Sequence, residues 1–153
     1  MGLLSPLLSS VDAKTPTPQH ALITAQVRDR RRNTATTLSI DTAAVYGMYR
    51  VIPSAVNNYA EWDVLLDAGT FEFSLIHRQG PDRGIYTVAV AGATLGTTID
   101  GYSSGGANSV GTITGVTVAT AGIVPVRLTM ASKNASSSGH AGYISGFTLS
   151  RTA

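Results

Sequence analysis

Ile123-Val124-Pro125-Val126-Arg127-Leu128-Thr129-Met130 is the stretch that decides the fold. Apolar and polar residues alternate through it. Val124, Val126, Leu128 and Met130 share one face, and Pro125, Arg127 and Thr129 share the other. Successive side chains of a strand point to opposite faces, so this period predicts a half-buried strand with one face in a core. Pro125 removes a ladder donor, which places the strand at a sheet edge or bulges it at that residue.

Working outward, the same signature recurs. Glu61–Leu66 carries Trp62, Val64 and Leu66 on one face, with Glu61 and Asp63 on the opposite, solvated face. After the turn Asp67-Ala68-Gly69, Thr70–Arg78 puts Phe71, Phe73, Leu75 and His77 together, and Thr70, Glu72, Ser74 and Ile76 opposite. Gln79-Gly80-Pro81-Asp82-Arg83-Gly84 is a loop signal. Ile85–Val90 follows, then a turn at Ala91-Gly92, a strand over Leu95–Asp100, a Gly/Ser loop over Gly101–Asn108, and a strand over Thr112–Ala119 weakened at Gly115. Beyond the opening stretch, Ser132–Gly142 is a polar loop, and Tyr143–Arg151 is a last strand. Upstream, residues 21–27 form a first strand, Asp29-Arg30-Arg31-Arg32-Asn33 a turn, and Val45–Ile52 a strand that Pro53 stops. About eight strands with turn signals roughly every 8–12 residues predict an all-β antiparallel sandwich. No segment has a helical period. The expected core is Phe71, Phe73, Val88, Val126, Leu128, Phe147 and Leu149.

Residues 1–44 divide from this pattern as an extended N-terminal arm with a first short strand, and residues 45–153 form the sandwich domain. Thr15-Pro16-Thr17-Pro18 is a semi-rigid linker. Leu3, Leu4, Leu7 and Leu8 need cover from water, either on the chain's own domain or on a neighbouring subunit. The expectation is a neighbour, because extended proline-containing segments lose little entropy on ordering. The charge follows the same division. The first 45 residues hold five basic and three acidic side chains; the rest hold six of each, so the net +2 belongs to the arm.

Charged residues are only 13% and hydrophobic residues 43% of the 153, with 16 glycines and no cysteine. The absence of cysteine excludes disulfides, thiolate metal sites and cysteine nucleophiles. Pro6 interrupts the apolar start, which lacks a basic region and makes a poor signal peptide. No apolar run reaches membrane-spanning length, so no membrane partner is expected. Arg28, Arg30, Arg31 and Arg32 lack interleaved aromatics and are diluted by Asp29. They suit a solvated loop or an acidic protein surface better than nucleic acid.

No catalytic constellation emerges, and no enzyme is expected. Gly101-Tyr102-Ser103-Ser104-Gly105 matches G-x-S-x-G, but a nucleophile elbow needs a strand before it and a helix after it. His20, His77 and His140 share no metal-ligand spacing. His77 reads as a satisfied, partly buried histidine, and His140 as an exposed loop residue. Glu61, Asp63 and Asp67 show no sign of a desolvated acid. No phosphate loop or dinucleotide fingerprint is present, so no cofactor is expected. Three polar loops do lie at strand ends: Asp82-Arg83, Asp100-Gly101-Tyr102, and Lys133-Asn134 through His140. If they converge, their groups suit a sugar's apolar faces and hydroxyl edges; otherwise they are ordinary turns or a subunit interface.

The run Trp62–Phe71, the segment Val88-Ala89-Val90-Ala91-Gly92, and the stretches Ala121–Leu128 and Ile144–Leu149 together resemble jelly-roll modules. Such modules occur in carbohydrate-binding domains and in small bacteriophage virion proteins. The resemblance covers residues 60–153. It implies a jelly-roll sandwich and a non-enzymatic role. The Ala/Thr/Gly bias, the lack of cysteine and the arm-plus-sandwich layout fit a phage structural protein, located in the virion as a capsid decoration or minor tail component. Its partners would be other virion proteins and copies of itself, as in a trimer. Leu3, Leu4, Leu7, Leu8, Arg30, Arg31 and Arg32 would be the arm's subunit contacts. The alternative is an adhesin module that reads host glycans through Asp82, Arg83, Asp100, Tyr102, Lys133, Asn134 and His140.

Overall fold

A computed structural model gives the fold. It describes residues 55–153 in full, and before them the backbone of four strands: β1 (Ile23–Gln26), β2 (Arg32–Asn33), β3 (Thr36–Ile40) and β4 (Tyr49–Pro53). Leu3, Leu4, Leu7, Leu8, Arg30 and Arg31 lie outside the described residues. The remaining strands are β5 (Tyr59–Leu66), β6 (Gly69–Gln79), β7 (Gly84–Val90), β8 (Ala93–Thr94), β9 (Ile99–Asp100), β10 (Ala107–Val118), β11 (Gly122–Lys133) and β12 (Ile144–Arg151). The described residues contain no helix.

Two antiparallel sheets face one another. One runs β10-β6-β12-β4-β3, with β1 also on β12; the other runs β2-β5-β11-β7-β8, with β9 also on β7. Strands from residues 23–40 therefore pair in both sheets. Arg32, read as part of a turn, lies in β2 directly opposite Glu61.

The predicted core is buried throughout. Phe71, Phe73, Val88, Val126, Leu128, Phe147 and Leu149 are each at most 1% exposed, joined by Trp62, Leu75, Tyr86 and Met130. The strands supply them in alternation, as β7 shows most simply: Gly84, Tyr86, Val88 and Val90 are buried, and Ile85, Thr87 and Ala89 between them are half-buried. Phe147 is the hub. Trp62 meets it edge-on from the opposite sheet, centroids 5.1 Å apart at 79°, and Phe73 stacks on it at 5.3 Å. Each large side chain contributes about 1.5–3 kcal/mol by leaving water, and aromatic contacts add about 0.5–1.5 kcal/mol.

Several expectations need correction. β11 is the centre of its sheet, not an edge, and its register shift falls between Met130 and Ser132 rather than at Pro125. Pro125 is tolerated because β7 has already turned away beside it. The Pro125 carbonyl accepts from Ala91 N–H at 3.0 Å, and its nitrogen points the same way, past the last β7 pair at Val90. Leu95–Asp100 is not one strand. β8 and β9 pair with opposite ends of β7, and Gly96–Thr98 lie outside the ladder between them. β10 begins earlier than expected, at Ala107, and carries its irregularity at Gly115 (φ +71°). Pro53 ends β4 from inside it. A register shift in β12 between Ile144 and Gly146 breaks the alternation, so Ile144 through Phe147 are all buried, as are Ile76 and His77 opposite.

Candidate functional site

Two polar regions compete for the role of site. The first is the loop end of the sandwich. The three loops singled out from the sequence do converge there. Gly80 N–H donates to the Gly101 carbonyl (3.1 Å), and Gly101 N–H to that of Gly84 (2.9 Å). Ser138 N–H donates to Pro81 (2.9 Å), and Ala141 N–H to Asp82 (2.9 Å). Gly101 permits this approach, since a Cβ there would sit 2.8 Å from the Gly84 carbonyl.

The side chains of these loops are spent on each other. Asp100 accepts the Tyr102 backbone N–H on Oδ1 (2.8 Å) and the Asn134 amide on Oδ2 (2.7 Å). Asn134 Oδ1 takes the Ser136 N–H at 3.0 Å. Lys133 Nζ donates to the Ser137 carbonyl at 2.9 Å, and the buried Ser137 hydroxyl donates to the Arg83 carbonyl at 2.7 Å. Arg83, expected as an exposed ligand group, is buried. Its guanidinium pairs with Asp82 and lies 3.3 Å above the Tyr143 ring centroid. His140 is half-buried rather than exposed. The loop end is thus a plug held together mainly by hydrogen bonds among its own loops.

Beneath it lies His77, fully buried and edge-on to Tyr86 at 6.1 Å. Contrary to expectation, its Nδ1 has no hydrogen-bond partner among the described residues. Burial drives its pKa down to about 4, with the Asp100 charge working the other way. Burial likewise raises the Tyr86 phenol, opposed by the Arg83 charge. Ser103 sits in a loop followed by strand β10, and its Oγ accepts the Gly105 N–H of its own turn (3.4 Å). The helix of a nucleophile elbow is not there.

The second region is the outer face of the β5-β11-β7 sheet, which no sequence reading singled out. Its rows follow from register. Tyr59, Thr129 and Thr87 align in one row; Glu61, Arg127, Ala89 and Thr94 align in the next, with Arg32 of β2 opposite Glu61. A groove of about 460 Å³ runs across these strands, lined by Glu61, Thr87, Ala89, Thr94, Pro125, Arg127 and neighbours. At its centre, Arg127 Nε donates to Glu61 Oε2 at 2.6 Å, and the guanidinium lies 4.1 Å from the Tyr59 ring centroid. Glu61, read as solvated, is only 5% exposed, because Arg127 folds over it. Arg127 keeps 43% of its side chain in solvent. The groove therefore offers a fixed guanidinium fork, threonine hydroxyls and small apolar patches, while the carboxylate balances the charge.

No protein-family model and no curated protein matches the chain. Solved structures do match it. The CBM36-1 carbohydrate-binding domain of a xylanase from the hindgut metagenome of Trinervitermes trinervoides superposes with a TM-score of 0.64 at 16% identity, over 86% of this chain and 98% of that one. Carbohydrate-binding module CBM36, solved with calcium and xylotriose, gives 0.63 at 16%, over 83% and 98%. A Paenibacillus xanthan lyase gives 0.69 at 21%, over 84% of this chain but 13% of the lyase. The chain thus shares the jelly-roll fold of carbohydrate-binding modules, some of which are parts of larger enzymes. A calcium ion takes about six to eight oxygen ligands. The described residues hold no group of three acidic or histidine side chains placed for a metal, and both Asp100 oxygens are already engaged. The described loop carboxylates do not by themselves make such a shell.

Proposed function

We propose that the sandwich is a non-catalytic carbohydrate-binding module that holds a neutral glycan in the groove across β5, β11 and β7. The observation that carries this reading is the Arg127 fork, fixed by Glu61 and Tyr59 and still open to solvent. Sugar hydroxyls both donate and accept, so a guanidinium beside a carboxylate and threonine hydroxyls suits them. Ala89 and Pro125 offer apolar contact for ring faces. On the described face, Glu61 and Asp63 balance or exceed Arg127, which argues against a polyanion. The fold shared with carbohydrate-binding modules supports the same reading.

The solved structures named above favour this reading over a virion component, for which no structural observation speaks. The test is affinity electrophoresis in xylan, mannan and galactan, followed by calorimetry on the polysaccharide that retards the protein. Arg127→Ala is expected to weaken binding at least tenfold, and Asn134→Ala in the loop plug less than twofold. Binding lost through Asn134→Ala but kept in Arg127→Ala would move the site to the loops.

A further inference from the structure

The outer face that carries the groove ends in an apolar ledge. Leu65 is 72% and Ile123 74% exposed, and the two are directly opposite one another in the β5–β11 register. Pro125 continues the ledge toward the groove. The other large exposed hydrophobics among the described residues, Val56 and Val110, stand apart from this pair, on the turn before β5 and on β10 of the other sheet. Single exposed aliphatics are ordinary; a cross-strand pair at 70% exposure and above is a surface that gains from cover.

The backbone says what is near enough to provide it. Leu65 precedes the turn into β6, and Ile123 follows the turn out of β10, so both lie at the end of the sandwich where those turns cross between the sheets. β1 runs antiparallel to β12, from Ile23 opposite Leu149 to Gln26 opposite Gly146. From Gln26 back to Ile23, β1 runs along β12 toward Arg151, which pairs with Phe71 near that same end. β1 therefore begins at the end of the sandwich where the ledge stands, with 22 residues before it in the sequence. They include Leu3, Leu4, Leu7 and Leu8, and 14 residues (9–22) separate Leu8 from Ile23. Extended, that tether spans about 46 Å at roughly 3.3 Å per residue, against a spacing of about 10 Å between stacked sheets.

We propose that the ledge formed by Leu65 and Ile123 is the docking site for residues 3–8 of the same chain. A short tether holds the leucines near the ledge at an effective concentration in the millimolar range, which a second copy in dilute solution does not match. Apolar side chains then cover apolar side chains, with Pro6 limiting the conformations to be lost. The segment acts as a strap along one end of the binding face.

The chain has no cysteine, so introduced pairs report cleanly. In the full-length protein, Leu7→Cys with Ile123→Cys is expected to form an intramolecular disulfide under mild oxidation. It is read as a faster-migrating monomer on a non-reducing gel, with at least tenfold higher yield than Leu7→Cys with Val110→Cys. A disulfide-linked dimer as the main product would overturn the proposal in favour of a second copy's arm. A yield no better than the control pair would overturn it outright. A second readout uses deletion of residues 1–10, which leaves β1 intact. It should increase binding of a hydrophobic dye several-fold, and Leu65→Ser with Ile123→Ser in the truncated chain should abolish the increase. Dye binding unchanged by the deletion counts against the strap.

Discussion

The loop end and the outer face of the β5-β11-β7 sheet are built from similar residues and behave in opposite ways. Each has an arginine over a tyrosine ring and an acidic partner: Arg83 with Tyr143 and Asp82, Arg127 with Tyr59 and Glu61. At the loop end the arginine is buried and the carboxylate is the more exposed group; on the sheet face the carboxylate is buried and the arginine is exposed. The first arrangement ties three loops together. The second presents a fixed cation to whatever enters the groove. Residue type alone does not separate a structural knot from a binding surface; which partner faces water does.

Removing the buried arginine of the loop end should break the comparison most sharply. Arg83→Ala deletes a buried side chain that packs on Tyr143 and leaves Asp82 without its partner. A loss of about 3 kcal/mol is expected, from the cost of breaking a buried charged contact discounted for the exposure of Asp82. Chemical denaturation measures it. A loss below about 1 kcal/mol would mean that the loops hold without the knot.

His77 tests the same end through pH. Its folded pKa of about 4 lies below the ordinary histidine value of about 6.5, so the unfolded chain binds the proton more readily. Stability from this group is fully present above about pH 6.5 and is lost as pH falls toward 4. The loss amounts to about 2 kcal/mol by pH 5. The carboxylates also respond to acid, so the informative quantity is the difference between wild type and His77→Gln from pH 7.5 to 4.5. If the two proteins lose stability in parallel, His77 is not buried neutral. No comparable sensitivity is expected of the groove, where no histidine is among the described lining residues.

On the sheet face the expectation reverses: binding should suffer more than stability. Arg127→Lys keeps the charge and loses the planar fork, so affinity for the retarding polysaccharide should fall about tenfold, or roughly 1.4 kcal/mol. The unfolding free energy should move by less than about 1 kcal/mol, because a half-exposed ion pair contributes little. Equal losses in both measurements would make Arg127 another structural tie.

Most of the sandwich was legible because β7, β11 and β6 as far as Leu75 alternate cleanly, and burying one face fixes their register. What escaped depended on neighbours. Pro125 looked like an edge marker, since nothing in the sequence says that β7 turns away beside it. Leu95–Asp100 looked continuous because its apolar residues share a period with the strand it leaves. The loop convergence was visible only as a condition, and whether Asp100 would be free or engaged by Asn134 depends on a contact across 34 residues. The groove was hidden differently. Arg127 and Glu61 were both read correctly as facing away from the core-facing set, but only the β5–β11 pairing puts them opposite each other.

The smallest expected effect concerns the rim of the groove. Ala91 and Gly92 join β7 to β8 with φ of +53° and +82°, the left-handed geometry of a type I′ hairpin turn. Glycine adopts it freely, whereas alanine at the first central position carries a steric cost of about 1 kcal/mol. Asparagine tolerates this region, and Asn-Gly is the favoured pair for the turn. Ala91 is exposed, so the larger side chain meets solvent. Ala91→Asn should therefore stabilise the protein by about 0.5 kcal/mol, a rise in Tm of about 1–2 °C by calorimetry. Gly92 and Thr94, which line the groove, keep their positions in the hairpin, so glycan affinity should stay within twofold. A lower Tm would show that the turn relaxes away from this geometry in solution. A higher Tm with lost affinity would show that the rim must move for the glycan to enter, and would make the sheet face the mobile region of the two.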